Sequence, residues 1–293
     1  MRTLSIFLTL FTIQLSTIQL ANAEPLYWSA QKGALKLMIV GSIHVGDVSM
    51  YPLPAEITDT LAQSNGLIVE ADIRNNSSLT FPKHQTTTEQ ELNSHQRKEL
   101  AGIASLLNLN IDELFRMPPW SSALAIQMRQ LEYLGYKAQD GVDMWLLMQA
   151  ARQGKPIYGL ETTQFQINLL TSQPQGGKEL LVSALEEFDH SENAMNCLIK
   201  SWKSGDINKL NEFAQLTEMS AELEQRFLFD RNHDWAKKLS DRQFLPKQRG
   251  EYVVVVGTLH LIGPDNLINL LQSKGFSIRQ LSKSTAANCE FKY

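Results

Sequence analysis

Four ionisable side chains stand at the ends of short apolar runs: His44, Glu70, Glu161 and His260. The two histidines share a phrase. Val40-Gly41-Ser42-Ile43-His44 follows Leu37-Met38-Ile39, and Val256-Gly257-Thr258-Leu259-His260 follows Val253-Val254-Val255. Glu70 closes Leu67-Ile68-Val69, and Glu161 closes Ile157-Tyr158-Gly159-Leu160. Two imidazoles with carboxylates form a donor set for a divalent transition ion such as manganese, cobalt, zinc or iron. A carboxylate left off the ion would serve as general base on a bound water. A lone histidine after a strand is ordinarily a hydrogen-bonded structural residue, and a lone Asp or Glu is ordinarily a cap or a surface charge. Packing alone poorly explains why the Gly-x-x-His spacing recurs at two distant places, so a shared site is the expectation.

Arg231 opens a predicted helix in Arg231-Asn232-His233-Asp234-Trp235. Its planar fork suits a substrate carboxylate or a scissile carbonyl, with an internal salt bridge as the alternative. His233, one turn into a helix, is expected to face solvent. Asp47, Asp72 and Asp265 lie close in sequence to the strand ends and are expected to fix imidazole tautomers. Other chemistries lack their residues. There is no G-x-S-x-G elbow, no H-E-x-x-H helix and no P-loop, and neither cysteine sits in a nucleophile motif.

Uninterrupted apolar runs of this length are the pattern of strands buried on both faces. Open α/β sheets place ligands beyond the carboxyl ends of such strands. The glycines are expected to let the backbone turn sharply there. Residues 26–40 predict a hairpin around Gly33, and 54–64 predict a helix before the Glu70 strand, which completes a β-α-β unit. Residues 74–90 are polar and predict a loop. Helical spacing dominates from residue 94, with Asp112 as an expected cap, and the 157–161 strand interrupts it. A last unit runs from strand 252–256 through helix 264–274 to strand 276–281. The expected fold is α/β: a mixed, mostly parallel sheet built from N- and C-terminal β-α units, with a large helical insertion over about 94–245.

Met1-Arg2-Thr3, the mostly apolar stretch 4–20 and Ala21-Asn22-Ala23 have the form of a secretory signal cut after Ala23. The expected mature chain is a single domain over 24–293, exported to the periplasm or beyond. Polar residues such as Gln14, Ser16 and Gln19 argue against a stable membrane span. A net charge of −4 without a basic stripe argues against nucleic acid as a partner. Only Cys197 and Cys289 are present; in an exported chain such a pair is a disulfide or two buried thiols.

The twin Gly-x-x-His strands resemble the TraB/GumN family, as do Leu67-Ile68-Val69-Glu70-Ala71-Asp72, Gly141-Val142-Asp143 and Gly154-Lys155-Pro156-Ile157-Tyr158-Gly159-Leu160-Glu161-Thr162. Asp230-Arg231-Asn232 with Trp235 extends the likeness, which covers nearly the whole chain in order. The family groups with Tiki-type metalloproteases and, more distantly, with erythromycin esterase and ChaN-type haem-binding proteins. The resemblance implies an α/β core with inserted helices. It also implies a site of His44, His260 and Glu70 on manganese, cobalt or zinc, with Glu161, Arg231 and Asn232 as further catalytic positions. Members related to Tiki are metal-dependent peptidases and members related to TraB act against peptide pheromones, so the resemblance implies a metal-dependent hydrolase of peptides or small molecules. The alternatives are a haem- or metal-binding protein without turnover and a catalytically silent interaction domain.

Overall fold

The computed structural model describes residues 23–74, 79–83, 86–216, 220–241, 243–245 and 249–291. The expected signal segment lies outside these, apart from Ala23.

Among the described residues six strands form one sheet: β1 Tyr27–Lys32, β2 Leu35–Ser42, β3 Leu67–Ala71, β4 Ile157–Glu161, β5 Gly250–Gly257 and β6 Ser277–Gln280. Their order is β4-β3-β5-β2-β1-β6. The pairs β2–β5, β5–β3 and β3–β4 are parallel, and β1 runs antiparallel to both β2 and β6. The fold is thus α/β with a mixed, mostly parallel sheet. The four runs that carry His44, His260, Glu70 and Glu161 are consecutive neighbours, and all point the same way. Strand β5 sits in the middle, with Val255 opposite both Val40 and Val69.

Burial explains the register. Ile39, Val40, Val253, Val254 and Val256 are fully buried. Each such side chain stabilises by roughly 1.5–3 kcal/mol. Covered on both faces, the central strands carry no charged residue from Leu37 to Val40 in β2, from Tyr252 to Val256 in β5 or from Leu67 to Val69 in β3. Helix Ala55–Gln63 packs Ile57 and Leu61 into this core. In the β1–β2 hairpin, Gly33 adopts φ +60 with open space where a Cβ would lie, so its backbone conformation alone calls for glycine. A second apolar cluster, with Leu100, Ile103, Leu114, Ile126 and Leu181, holds helices Ser94–Leu106, Ile111–Arg116, Pro119–Tyr133 and Lys178–Glu186 together.

Two local expectations are corrected. Helix Ile111–Arg116 is capped by Asn110, whose Oδ1 accepts from the N–H groups of Asp112 and Glu113 at 3.0 and 3.3 Å, so Asp112 is capped rather than capping. Neither Gly-x-x-His glycine sits at positive φ, so a sharp turn is not their purpose. A Cβ on Gly41 would lie 2.8 Å from Thr258 Oγ1 and 3.3 Å from the Leu26 carbonyl. Gly41 is therefore needed for close packing.

Helix Ser191–Lys203 braces the end of β2, because the Trp202 indole N–H donates to the Gly41 carbonyl at 3.0 Å. The same helix carries Cys197, which is disulfide-bonded to Cys289 in the tail, with Cα atoms 5.5 Å apart.

Candidate active site at four strand ends

His44 follows the end of β2 and lies at the mouth of the site, its side chain 64% exposed. Its Nδ1 faces Asp143 Oδ2 at 3.3 Å. Asp143 lies at the start of helix Val142–Arg152, and the Val142 N–H donates to the Ile43 carbonyl at 3.0 Å. Gly141 passes so close to the His44 carbonyl that no Cβ would fit. The Gly-Val-Asp motif thus docks a helix start against the first histidine. The remaining Asp143 oxygen, Oδ1, and the buried Ser42 Oγ have no protein partner among the described residues. Both residues line a small cavity of about 100 Å³ together with His44 and Glu70.

His260, in the short turn Thr258–Leu261 after β5, is 4% exposed. Asn232 fixes its tautomer. The Asn232 amide donates to the Asp265 carbonyl at 3.0 Å, which leaves its Oδ1 to accept from His260 Nδ1 at 2.7 Å. His260 Nε2 then bears the lone pair and accepts from Arg231 Nη1 at 3.2 Å. The Trp235 ring packs against the imidazole at 4.4 Å between centroids.

Arg231 joins the strand ends. Its Nη2 donates to Glu70 Oε2 and to Glu161 Oε1, both at 2.6 Å, and its Nε donates to Glu161 Oε2 at 3.2 Å. Glu161 also accepts from the Trp235 indole at 3.1 Å and from the Gln166 amide at 2.9 Å. With four donors on two oxygens, Glu161 is an anchor for Arg231. Glu70 is less enclosed by donors: its Oε1 takes the Gly257 N–H at 2.7 Å and lies 3.9 Å from His260 Nε2.

Gly257 marks where these groups converge. A Cβ built there would lie 3.4 Å from Glu70 Oε1, 3.6 Å from His260 Cδ2 and 3.7 Å from His44 Nε2. Both imidazoles hold Nδ1 on a side-chain oxygen, and the Nε2 of His260 is taken by Arg231 Nη1. An oxygen on Nδ1 is the partner that orients a metal-ligating imidazole. Among the described residues, however, no three His, Cys, Asp or Glu side chains are placed closely enough to hold an ion. The guanidinium of Arg231 lies between Glu70 and His260 instead.

The aspartates singled out for tautomer control do other work. Asp47 caps the turn Val48–Met50, Asp72 pairs with Arg74 at 2.6 Å, and the Asp265 carboxylate faces the exposed His233 at 3.7 Å. Asp143 and Asn232 take that role.

The electrostatics separate the two histidines. Burial pushes the His260 pKa down to about 3, Arg231 and His44 reinforce the shift, and Glu70 opposes it. The Asp143 hydrogen bond pushes His44 up to about 9 against partial desolvation. Burial opposes ionisation of Glu70, yet His260 (where it is charged), Arg231, His44 and the Gly257 N–H hold it down to about 2. Stability follows with definite sign. As pH falls below 6.5, the unfolded chain gains a proton that folded His260 refuses, so stability drops. The Glu70 contribution, complete above 4.5, is lost as pH falls toward its folded value. The His44 contribution is complete below 6.5 and is lost as pH rises toward 9, and solvent at its exposed ring narrows that window. Thermal melts should therefore peak near neutral pH, and His44→Gln should flatten the alkaline side. An alkaline limb that His44→Gln leaves unchanged would refute this account of His44.

This is an α/β protein with a buried carboxylate–guanidinium cluster flanked by two imidazoles at its strand ends. It belongs to the TraB/PrgY/gumN family, whose signature matches residues 26–280. It is 31% identical over 241 residues to the "Uncharacterized protein YbaP" of Escherichia coli (strain K12), covering 80% of this chain and 87% of that one. The same figures hold for the YbaP of Shigella flexneri. Over 85 residues it is 29% identical to a "Metalloprotease TIKI homolog" of Amphimedon queenslandica, 29% of this chain and 14% of that protein. No solved structure matches the chain.

Proposed function

We propose that this protein is an exported metal-dependent hydrolase of peptides, with the ion taken by His44, His260 and Glu70. The observation that carries this reading is the cradle at Gly257, which lies within reach of His44, His260 and Glu70, with each ring held through Nδ1 by a side-chain oxygen. Held there by His44, His260 and Glu70, a divalent ion of the manganese, cobalt or zinc type would supply Lewis-acid polarisation and lower the pKa of water. Glu70 serves as ligand or as base. Asp143 and Asn232 hold the two rings in orientation. Arg231, backed by Glu161, presents a fixed positive charge that suits a scissile carbonyl or a substrate carboxylate. The short match to a relative named a metalloprotease supports the class, and the Cys197–Cys289 disulfide is of the kind that persists in oxidising compartments.

Calorimetric titration of manganese, cobalt and zinc into the parent, His44→Ala, His260→Ala and the double variant tests this. Each single variant should lose most of the affinity, about 100-fold or more, and the double should resemble the singles, as for ligands acting together. Circular dichroism should stay near native, because the strand valines and not the imidazoles carry the core. Ion uptake at neutral pH should release a proton, since Asp143 keeps His44 protonated there. Parent-like affinity in both single variants would refute the assignment, and a peptide-library digest with the loaded parent tests the hydrolysis.

A further inference from the structure

Strand β4 ends the sheet: it pairs with β3 and, among the described residues, with no other strand. The Leu67 N–H donates to the Pro156 carbonyl at 2.9 Å. Backbone groups alternate sides along a strand, so this register turns those of Tyr158 toward β3 and those of Gly159 and Glu161 away from it. Amides and carbonyls without a strand partner are a template for another extended chain.

Gly159 and Glu161 line a cavity of about 860 Å³ whose two walls differ in character. One wall is helix Thr163–Thr171. It carries Phe165, Ile167, Leu169 and Leu170, yet none of its residues is buried, and Phe165 is 45% exposed. Phe165 and Leu169, one turn apart, line the cavity together with Phe244. The other wall holds a charged residue at every fourth position: Arg226, Asp230, Asp234 and Lys238. Most of these are engaged. Lys238 meets Asp234 and the Leu160 carbonyl, both at 2.6 Å, and Asp230 accepts from the Gln225 amide at 2.6 Å. Arg231, also in the lining, is held by Glu70 and Glu161. Arg226 has only a 3.7 Å approach to Glu222, and its side chain is 40% exposed. Among the described cations of the lining, it is the one left for a ligand.

The spacing of the apolar wall fits an extended chain. Helix positions four apart rise by about 6 Å. Alternate side chains of a strand stand about 6.6 Å apart. A peptide laid along β4 can therefore set successive alternate side chains on Phe165 and Leu169.

We infer that this cavity is a peptide-binding groove: an extended peptide adds to the outer edge of β4, seats alternate apolar side chains on Phe165, Leu169 and Phe244, and pairs its C-terminal carboxylate with Arg226. The inference goes beyond the proposed hydrolysis, since no ion takes part in the grip. Glu161 and Arg231 belong to the same lining, so a peptide held there lies beside the strand-end cluster.

Fluorescence anisotropy in the presence of a chelator tests the groove without any ion. The probe is a short fluorescein-labelled peptide of alternating leucine and serine with a free C-terminal carboxylate. Phe165→Asp should weaken its binding about tenfold or more, because a seated leucine loses its apolar contact. Proline in place of a central serine removes a backbone donor and should weaken binding to the parent about fivefold. Arg226→Gln should weaken binding about threefold, as should amidation of the peptide, and the two together should cost no more than either alone. Thermal melts of both variants should match the parent, since both side chains are largely exposed. Parent-like binding by Phe165→Asp, equal binding of the proline peptide, or no binding by the parent would overturn the inference. Binding as expected without cleavage after manganese is added would uphold the groove and refute the hydrolysis. If Phe165→Asp does not fold, the proline and amidated peptides on the parent decide.

Discussion

Arg231→Ala should lower the unfolding free energy by about 3–5 kcal/mol, the cost of removing one partner from a buried ion cluster. The pair it would orphan is Glu70 and Glu161, whose side chains are 11% and 4% exposed. Both would face the same void, and the Trp235 ring would lose the guanidinium stacked on it at 4.6 Å. Glutamine at this position should cost less, because its amide still donates. The effect should also be non-additive with Glu161→Gln: in the double variant the second change removes a charge that the first left unpaired, so the pair should lose less than the sum. Urea denaturation of the four proteins measures this. A loss below about 1 kcal/mol for Arg231→Ala would mean that the cluster is solvated rather than buried.

The two Gly-x-x-His glycines should behave in opposite ways. Gly41→Ala should destabilise the fold by about 1–3 kcal/mol, because its Cβ would press on Thr258 Oγ1 at 2.8 Å and on backbone. Gly257→Ala should barely alter stability, since its φ of −52 suits alanine and its nearest neighbours lie at 3.4 Å or beyond. Its methyl would nevertheless fill the cradle among Glu70, His260 and His44, so on the proposed metal reading manganese affinity should fall about 100-fold with the melting curve unchanged. The comparison needs only a melt and a titration on each variant. Full ion binding in Gly257→Ala would show that the ligand does not sit there.

Much of this was legible in the residues. Uninterrupted valine and isoleucine runs with no polar alternation can only be strands covered on both faces, and a parallel set of such strands brings their carboxyl ends together. The sequence alone therefore puts His44, Glu70, Glu161 and His260 at one edge of the sheet. The partners of the rings were less legible. Asp47, Asp72 and Asp265 are close in sequence to the strand ends, but each is consumed by a local turn or a neighbouring side chain. Asp143 is remote in sequence from His44, and the close passage of Gly141 together with the Val142 N–H bond to the Ile43 carbonyl brings it near. Nor could periodicity show that 276–281 returns to pair antiparallel with β1, because an apolar alternation carries no strand direction. The sharing of Arg231 between two carboxylates and an imidazole is likewise a three-dimensional fact. Its sequence signature, an Arg near a helix start, fits a surface ion pair equally well.

The position of β5 has a consequence for how the molecule comes into being. It lies between β2 and β3, both of which precede it by well over a hundred and fifty residues. Without it, the two N-terminal strands face each other across a gap one strand wide, and their inner edges carry unpaired amides. The first histidine and Glu70 therefore become neighbours only when the later segment inserts between them. Long-range parallel insertion of this kind is slow, because the loop entropy is spent before any contact repays it. Assembly of the centre is thereby tied to completion of the sheet, and a partly folded chain cannot bring His44, Glu70 and His260 together.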